Sequence, residues 1–153
     1  IFTLLDMSFG ITASRKIKSI KRPAGKEWLI PANPKYYDIE KAFSESDTIR
    51  WKQSSNIFVG DIVYIYMAAP VSAVLYKCEA VEVDIPYRRT GGKVNITRAM
   101  QIKLLHRFQE NDLPLDKLRR YGVSTVRGPR NVPYGLHRHI SYLLKKQSKK
   151  SEK

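Results

Sequence analysis

The unbroken run Ile62-Val63-Tyr64-Ile65-Tyr66-Met67, set between Gly60-Asp61 and Pro70, most narrows what this chain can become. Six apolar or aromatic residues bounded by turn signals are too few for a membrane helix and suit a β-strand buried on both faces. A second long strand is predicted from Ala73 to Val83. Its apolar positions are Val74, Tyr76, Cys78 and Ala80, after which the parity switches to Val81 and Val83. A switch of parity means a bulge or bend, as closed barrels need. The third strand, Ile96 to Phe108, sets Ile96, Met100, Ile102, Leu104, His106 and Phe108 on one face, with Arg98 as its lone charged member. Three long strands in succession without helical crossovers predict a mainly antiparallel sheet. The expected fold is α+β, a small curved β-barrel with flanking helices.

Shorter elements surround this centre. Glu27 to Ile30 reads as a strand stopped by Pro31 and Pro34. Asp38 can cap a helix running to about Ser44, with Ile39, Ala42 and Phe43 on its apolar side. Thr48 to Trp51 is expected to be extended, and Thr90 to Lys93 to be a flexible loop. Leu115, Leu118 and Tyr121 mark a short helix with Gly122 at its C-terminus. Val123 to Val126 suits a strand. Leu136, Ile140, Leu143 and Leu144 line one side of a final helix. These boundaries divide the chain into a basic extension or linker (1–25), one domain (26–144) and a basic disordered tail (145–153). The apolar start lacks the basic leader of a secretory signal.

Charge points to the partner. The 153 residues carry 28 Lys and Arg against 14 Asp and Glu, a net charge of +14. Such a field draws polyanions, and counterion release would supply affinity for nucleic acid, DNA or RNA. The cations cluster at Arg15 to Arg22, at Arg119, Arg120, Arg127 and Arg130 with His137 to His139 following, and along the tail. A hydrophobic content of 42% excludes an intrinsically disordered chain. No apolar run approaches the roughly 20 residues of a bilayer-spanning helix, so no membrane partner is expected. The single cysteine, Cys78, excludes an intramolecular disulfide and a cysteine-built zinc site. A cytoplasmic protein is expected. The competing reading of the charge is an interaction domain that docks an acidic protein.

Catalytic patterns are missing. The chain has no Walker-type phosphate loop and no Gly-x-Ser-x-Gly elbow, and it suggests no cofactor. His106 reads as a hydrogen-bonded core residue. His137 and His139, two apart on a helix, diverge by about 200° and cannot share a metal. Asp38, Asp61 and Asp84 sit at element ends, where capping and turns account for them. Cys78 reads as buried and structural. A base-acting enzyme would need an acid or base in its pocket, with Asp38, Asp61 and Glu79 the only nearby candidates. No catalytic residue is assigned.

Aromatic residues are concentrated instead. Trp28, Tyr36, Tyr37, Trp51, Phe58, Tyr64 and Tyr66 fall in one stretch, beside Asn33, Gln53, Ser54, Ser55 and Asn56. A planar base needs flat faces for stacking and a few fixed polar groups to read its edge. Trp51-Lys52-Gln53-Ser54-Ser55-Asn56 offers both within six residues. A core-filling role for the tryptophans is the alternative.

The segment Glu27 to Tyr87 resembles the EVE domain of the PUA-like superfamily. The match rests on Trp28-Leu29-Ile30-Pro31 with Asn33-Pro34 and Tyr36/Tyr37, on Trp51 to Asn56, on Val59-Gly60-Asp61-Ile62-Val63-Tyr64, and on the strand Val74 to Val83. Arg127-Gly128-Pro129-Arg130 and the last helix fit the way such domains close. The resemblance implies a curved barrel that binds nucleic acid, often through a modified base held among aromatics. Trp51-x-Gln53-x-x-Asn56 is similar to an element of the related YTH domains, which hold N6-methyladenine, with Gln53 in place of their Thr. No second tryptophan follows the Tyr64 strand, where Tyr76 or Tyr87 would have to stand in, so a modified cytosine or an unmodified base remains open.

The expected base pocket therefore comprises Trp28, Asn33, Tyr36, Trp51, Gln53, Ser54, Ser55, Asn56, Tyr64 and Tyr76. Trp51 is expected as its principal wall. Arg88, Arg89, Arg119, Arg120, Arg127 and Arg130 are expected to hold phosphates without reading sequence.

Overall fold

The computed structural model describes residues 25–88 and 96–151. Side-chain alternation decides the architecture. In β3 (Ile62–Met67), Val63, Ile65 and Met67 enter one core, while Tyr64 and Tyr66 enter another. β1 (Glu27–Ala32) lies parallel to β3 and repeats the division, with Trp28, Ile30 and Ala32 on the first side and Leu29 on the second. Both faces of these strands are apolar, so both must be covered.

The remaining strands are β2 (Thr48–Gln53), β4 (Ala73–Arg88), β5 (Ile96–Arg107) and β6 (Arg130–Asn131). They join β1 and β3 in one mixed sheet of order β2-β5-β4-β3-β1-β6, antiparallel except at β1/β3. The α+β class and mainly antiparallel sheet expected from the sequence are present. The barrel is not: the described strands form an open sheet with β2 and β6 at its edges. β2 and β6 do not pair with each other, so the sheet does not close, and β1 and β3 bury side chains on both of its faces. Helices supply the two covers.

On the first face lies α1 (Ile39–Glu45), whose buried Ile39 and Phe43 fill the core beneath it. Each such side chain contributes about 1.5–3 kcal/mol on burial. Asp38 caps the helix, its Oδ1 accepting from the Lys41 amide at 3.0 Å. The second face is covered by α2 (Leu115–Arg120) and α3 (Tyr134–Ser151), through Leu118, Leu136 and Ile140. Gly122, at φ +95°, turns the chain just past α2, a conformation that side chains rarely adopt.

Bulges redistribute residues that simple alternation would align. Ile65 pairs with Tyr76 and Tyr66 with Val74, leaving Leu75 as the extra residue. Val74 and Tyr76 consequently enter opposite cores. A second irregularity separates Leu104 from His106 across Leu105. The third strand's expected single face is thus split, with Met100 and Ile102 in one core and Phe108 in the other. Two more shifts, between Ala80 and Glu82 and between Glu82 and Ile85, match the parity switch expected there.

Three expectations are corrected. β1 does not stop before Pro31. The Ile62 and Ala68 amides bond to the carbonyls of Lys26 and Ala32, so even-numbered residues face β3 and Pro31 faces the outer edge. There β6 pairs only with Trp28 and Leu29, and a missing N–H costs no ladder bond. Residues 123–126 form no strand, although Val123 and Val126 are buried in the second core. The basic stretch from Lys145, expected to be a disordered tail, continues α3 through Ser151. The extension 1–24, including the Arg15 to Arg22 cluster, and the loop Thr90 to Lys93 lie outside the described residues.

Candidate functional site

The segment 54–61 joins β2 to β3 and is fastened at both ends. Gln53, the last residue of β2, is buried. Its Nε2 donates to the Ser55 carbonyl at 3.0 Å and to Asp84 Oδ1 at 3.2 Å, and its Oε1 accepts from the Asp84 amide at 2.7 Å. Asp84, in the left-handed region at φ 58°, is thereby held in a conformation that short polar side chains tolerate best. Arg98 of β5 donates to the same Asp84 Oδ1 at 2.9 Å.

At the other end stands Asp61, 1% exposed. Its Oδ2 accepts from Trp28 Nε1 at 2.9 Å and from the Phe58 amide at 3.0 Å. A buried carboxylate that satisfies two donors is costly to remove, because the indole N–H and the Phe58 amide both lose their acceptor. Ile57, fully buried, pins the middle of the segment to the first core.

These ties form an open pocket of about 630 Å³ lined by Lys26, Trp28, Ser54, Ser55, Asn56, Phe58 and Arg98. The volume lies within the range of small-molecule sites. The apolar part of the lining comes from the Trp28 indole, 9% exposed, and the Phe58 ring, 38% exposed, and Ser54, Ser55 and Asn56 supply donors and acceptors. Lys26 and Arg98 make the rim cationic. The Arg98–Asp84 pair is exposed on both sides, so solvent screens it and its guanidinium can exchange partners at little cost.

Of the ten expected pocket residues, the structure brings Trp28, Ser54, Ser55 and Asn56 together around this hollow. Gln53 lies behind it as a fastening. Trp51 is half-buried against the first core, with Tyr37 meeting it edge-on at 5.2 Å, and it does not line this pocket. Tyr36 is 85% exposed, and Asn33 turns its Oδ1 to the Lys35 amide at 2.9 Å. Tyr64 and Tyr76 are buried on opposite faces of the sheet. The Tyr76 hydroxyl donates to Glu40, and that of Tyr64 lies 3.5 Å from Glu27 Oε2. Burial, reinforced by these carboxylates, pushes both phenols well above the ordinary tyrosine range. Burial likewise raises the Cys78 thiol to about 12, so it stays protonated and inert.

The expected phosphate-binding arginines sit elsewhere. Arg119, Arg120, Arg127 and Arg130 belong to the segment from α2 to β6, and none of them lines the pocket. Arg119 donates to the Ser124 carbonyl at 3.2 Å, and Arg130 to that of Asn131 at 3.3 Å. Arg89 and the Arg88 side chain lie outside the described residues. The rim cations Lys26 and Arg98, with Phe58, were not among the expected site residues. Arg98 had a visible signal, as the one charge on an otherwise apolar strand pattern.

The histidines diverge as helical spacing requires. His137 Nδ1 lies 2.8 Å from Glu27 Oε1, His139 stacks on Tyr121 at 5.2 Å, and His106 Nε2 meets Gln147 Oε1 at 2.6 Å. Burial, with Lys117 nearby, lowers the His139 pKa. Among the described residues no three His, Cys, Asp or Glu groups converge as a metal site. No described helix is long and apolar enough to cross a membrane.

The chain matches no protein-family model and no curated protein. Solved structures do share its fold. The crystal structure of ASCH from Zymomonas mobilis superposes with a TM-score of 0.54 at 12% identity, covering 77% of this chain and 95% of that one. Rpa0253 from Rhodopseudomonas palustris gives 0.50 at 13% identity, and Atu2648 from Agrobacterium tumefaciens 0.51 at 14%. Each of those two alignments covers 74% of this chain and 88% of the other.

Proposed function

We propose that this chain is a non-catalytic RNA-binding module that takes one unpaired base into the pocket beside Trp28. Its likeness in fold to an ASCH domain, a member of the PUA-like superfamily, supports the RNA reading. The observation that carries this reading is the pocket itself, where aromatic surface, a short run of polar side chains and two cations meet in one hollow. Stacking against such surface is worth about 1–3 kcal/mol per base, which offsets the few kcal/mol needed to unstack it. Ser54, Ser55 and Asn56 face the base edge, and Lys26 and Arg98 face its flanking phosphates. The PUA-like fold favours RNA over DNA.

The element Trp51 to Asn56 keeps the EVE-like and YTH-like part of the proposal, with its roles divided. Its polar end serves the pocket, while Trp51 supports β2 from the core side. This scheme accepts a modified or an unmodified base, since the open mouth leaves room at one edge. Arg119, Arg120, Arg127 and Arg130 add attraction for the backbone at a distance from the pocket.

Asn56→Ala tests the reading. Fluorescence anisotropy with single-stranded RNA pools carrying different modified bases should show selectivity for a preferred base in the native chain. In the variant that selectivity should fall about tenfold with the melting temperature unchanged. Unaltered selectivity in Asn56→Ala, or equal affinity for a DNA strand of the same sequence, would contradict the proposal.

A further inference from the structure

The exposed side of α3 carries an unusual pattern. Tyr134, Arg138, Tyr142, Lys145 and Lys149 are all exposed. Their spacing of four, four, three and four residues confines them to an arc of about 80° along roughly 22 Å of helix. Tyr134 and Tyr142 are 74% and 61% exposed, large aromatic surface that the fold leaves in water. The Arg138 guanidinium lies 6.0 Å over the Tyr134 ring. Along its whole length, Tyr134 to Ser151, the helix contains no Asp or Glu. Its opposite side is fully occupied in the second core by Leu136, Ile140, Leu143 and Leu144. The stripe is therefore surplus to folding.

We infer that this stripe is a second nucleic-acid contact, which tracks the backbone of the same single-stranded RNA whose base occupies the pocket. It rests on the RNA reading of the pocket. Charge complementarity selects the occupant: cations interleaved with exposed rings suit a strand that offers phosphates and base faces in alternation. Position supports a continuous path. Lys26 lines the pocket, and the next residue, Glu27, holds His137 in the first turns of α3 at 2.8 Å. The Val132 amide bonds to the Glu27 carbonyl at 3.1 Å, which ties the entry to α3 against the same point of β1. Because alternate residues of β1 serve opposite faces, an RNA strand running from Lys26 to Tyr134 and Arg138 rounds the β6 edge of the sheet and reaches the lysines afterwards.

The test compares a uridine trinucleotide with a uridine 12-mer on two variants of the full chain, Tyr134→Ala/Tyr142→Ala and Arg138→Gln/Lys145→Gln/Lys149→Gln. All five positions are exposed, and Ala and Gln favour helix, so circular dichroism should be unchanged. The expected result is unchanged affinity for the trinucleotide in both variants. The 12-mer should bind about tenfold or more weakly to the tyrosine variant. In the charge variant the slope of log affinity against log salt should shrink by about 2, near 0.7 for each phosphate that is no longer neutralised. Unchanged 12-mer affinity and slope in both variants, with Asn56→Ala still impaired, would overturn the stripe and leave the pocket reading intact. Weakened 12-mer binding in the stripe variants with no effect of Asn56→Ala would uphold the stripe and remove the pocket. Stripe-dependent binding to phosphatidylserine vesicles without 12-mer binding would overturn the inference in favour of a lipid surface.

Discussion

The two tryptophans sit in contrasting surroundings on the same side of the sheet. Trp51 lies on β2, an edge strand, opposite Met100 of β5, and its ring is wedged between the first core and Tyr37. Trp28 lies on β1, between two neighbouring strands, with its indole N–H tied to the buried Asp61. Trp28 is met by a loop that Gln53 and Asp61 fasten in place, and it lines the polar hollow described above, which Trp51 does not border. An aromatic ring borders a hollow when a constrained segment stands off from it and keeps water-accessible space between them. Proximity in sequence to polar residues, which favours Trp51, does not achieve this.

The contrast can be broken most severely at Asp61. Asp61→Ala strands the Trp28 and Phe58 N–H groups, and urea unfolding should show a loss of about 3 kcal/mol. RNA binding should disappear with it. Retained stability would mean that the loop is held by other interactions. Gln53→Ala should cost less, about 2 kcal/mol in the same measurement. It releases Asp84 and with it Arg98 from the rim, so RNA affinity should drop several-fold more than stability alone explains. Equal affinity would separate the fastening from the site. The smallest effect is expected on the other side of the comparison. Tyr37→Ala removes the edge-on partner of Trp51 and should cost about 1 kcal/mol or less. RNA affinity in that variant should stay within twofold of the native chain, and a large drop would move the binding surface to Trp51.

Much of the fold is legible in the residues because burial leaves a periodic trace. The apolar run of β3, the Asp38 cap, the Leu136/Ile140 stripe and the turn at Gly122 all state local rules that tertiary packing then obeys. The open sheet was not legible, because strands buried on both faces look the same in a barrel wall and in a sheet between two helical layers. Bulges hid as well: the single extra residues Leu75 and Leu105 shift register without altering composition. At the site, Ser54, Ser55 and Asn56 could be found as a polar run beside an aromatic stretch. Their partner could not, since Trp28 is 26 positions before Ser54 in the chain and meets that run only through the parallel pairing of β1 with β3. Asp61 read as a turn residue, and its side chain does also serve the turn by accepting from the Phe58 amide. Its bond to the indole depends on that long-range pairing.

The two indoles also provide the decisive readout, because the chain has no others. Trp51→Phe leaves Trp28 as the sole indole, and Trp28→Phe leaves Trp51. Titrating each single-tryptophan protein with the preferred single-stranded RNA should quench the emission of the Trp28 protein in step with anisotropy and leave that of the Trp51 protein unchanged. Quenching confined to Trp51, with Trp28 silent at saturating RNA, would contradict the account.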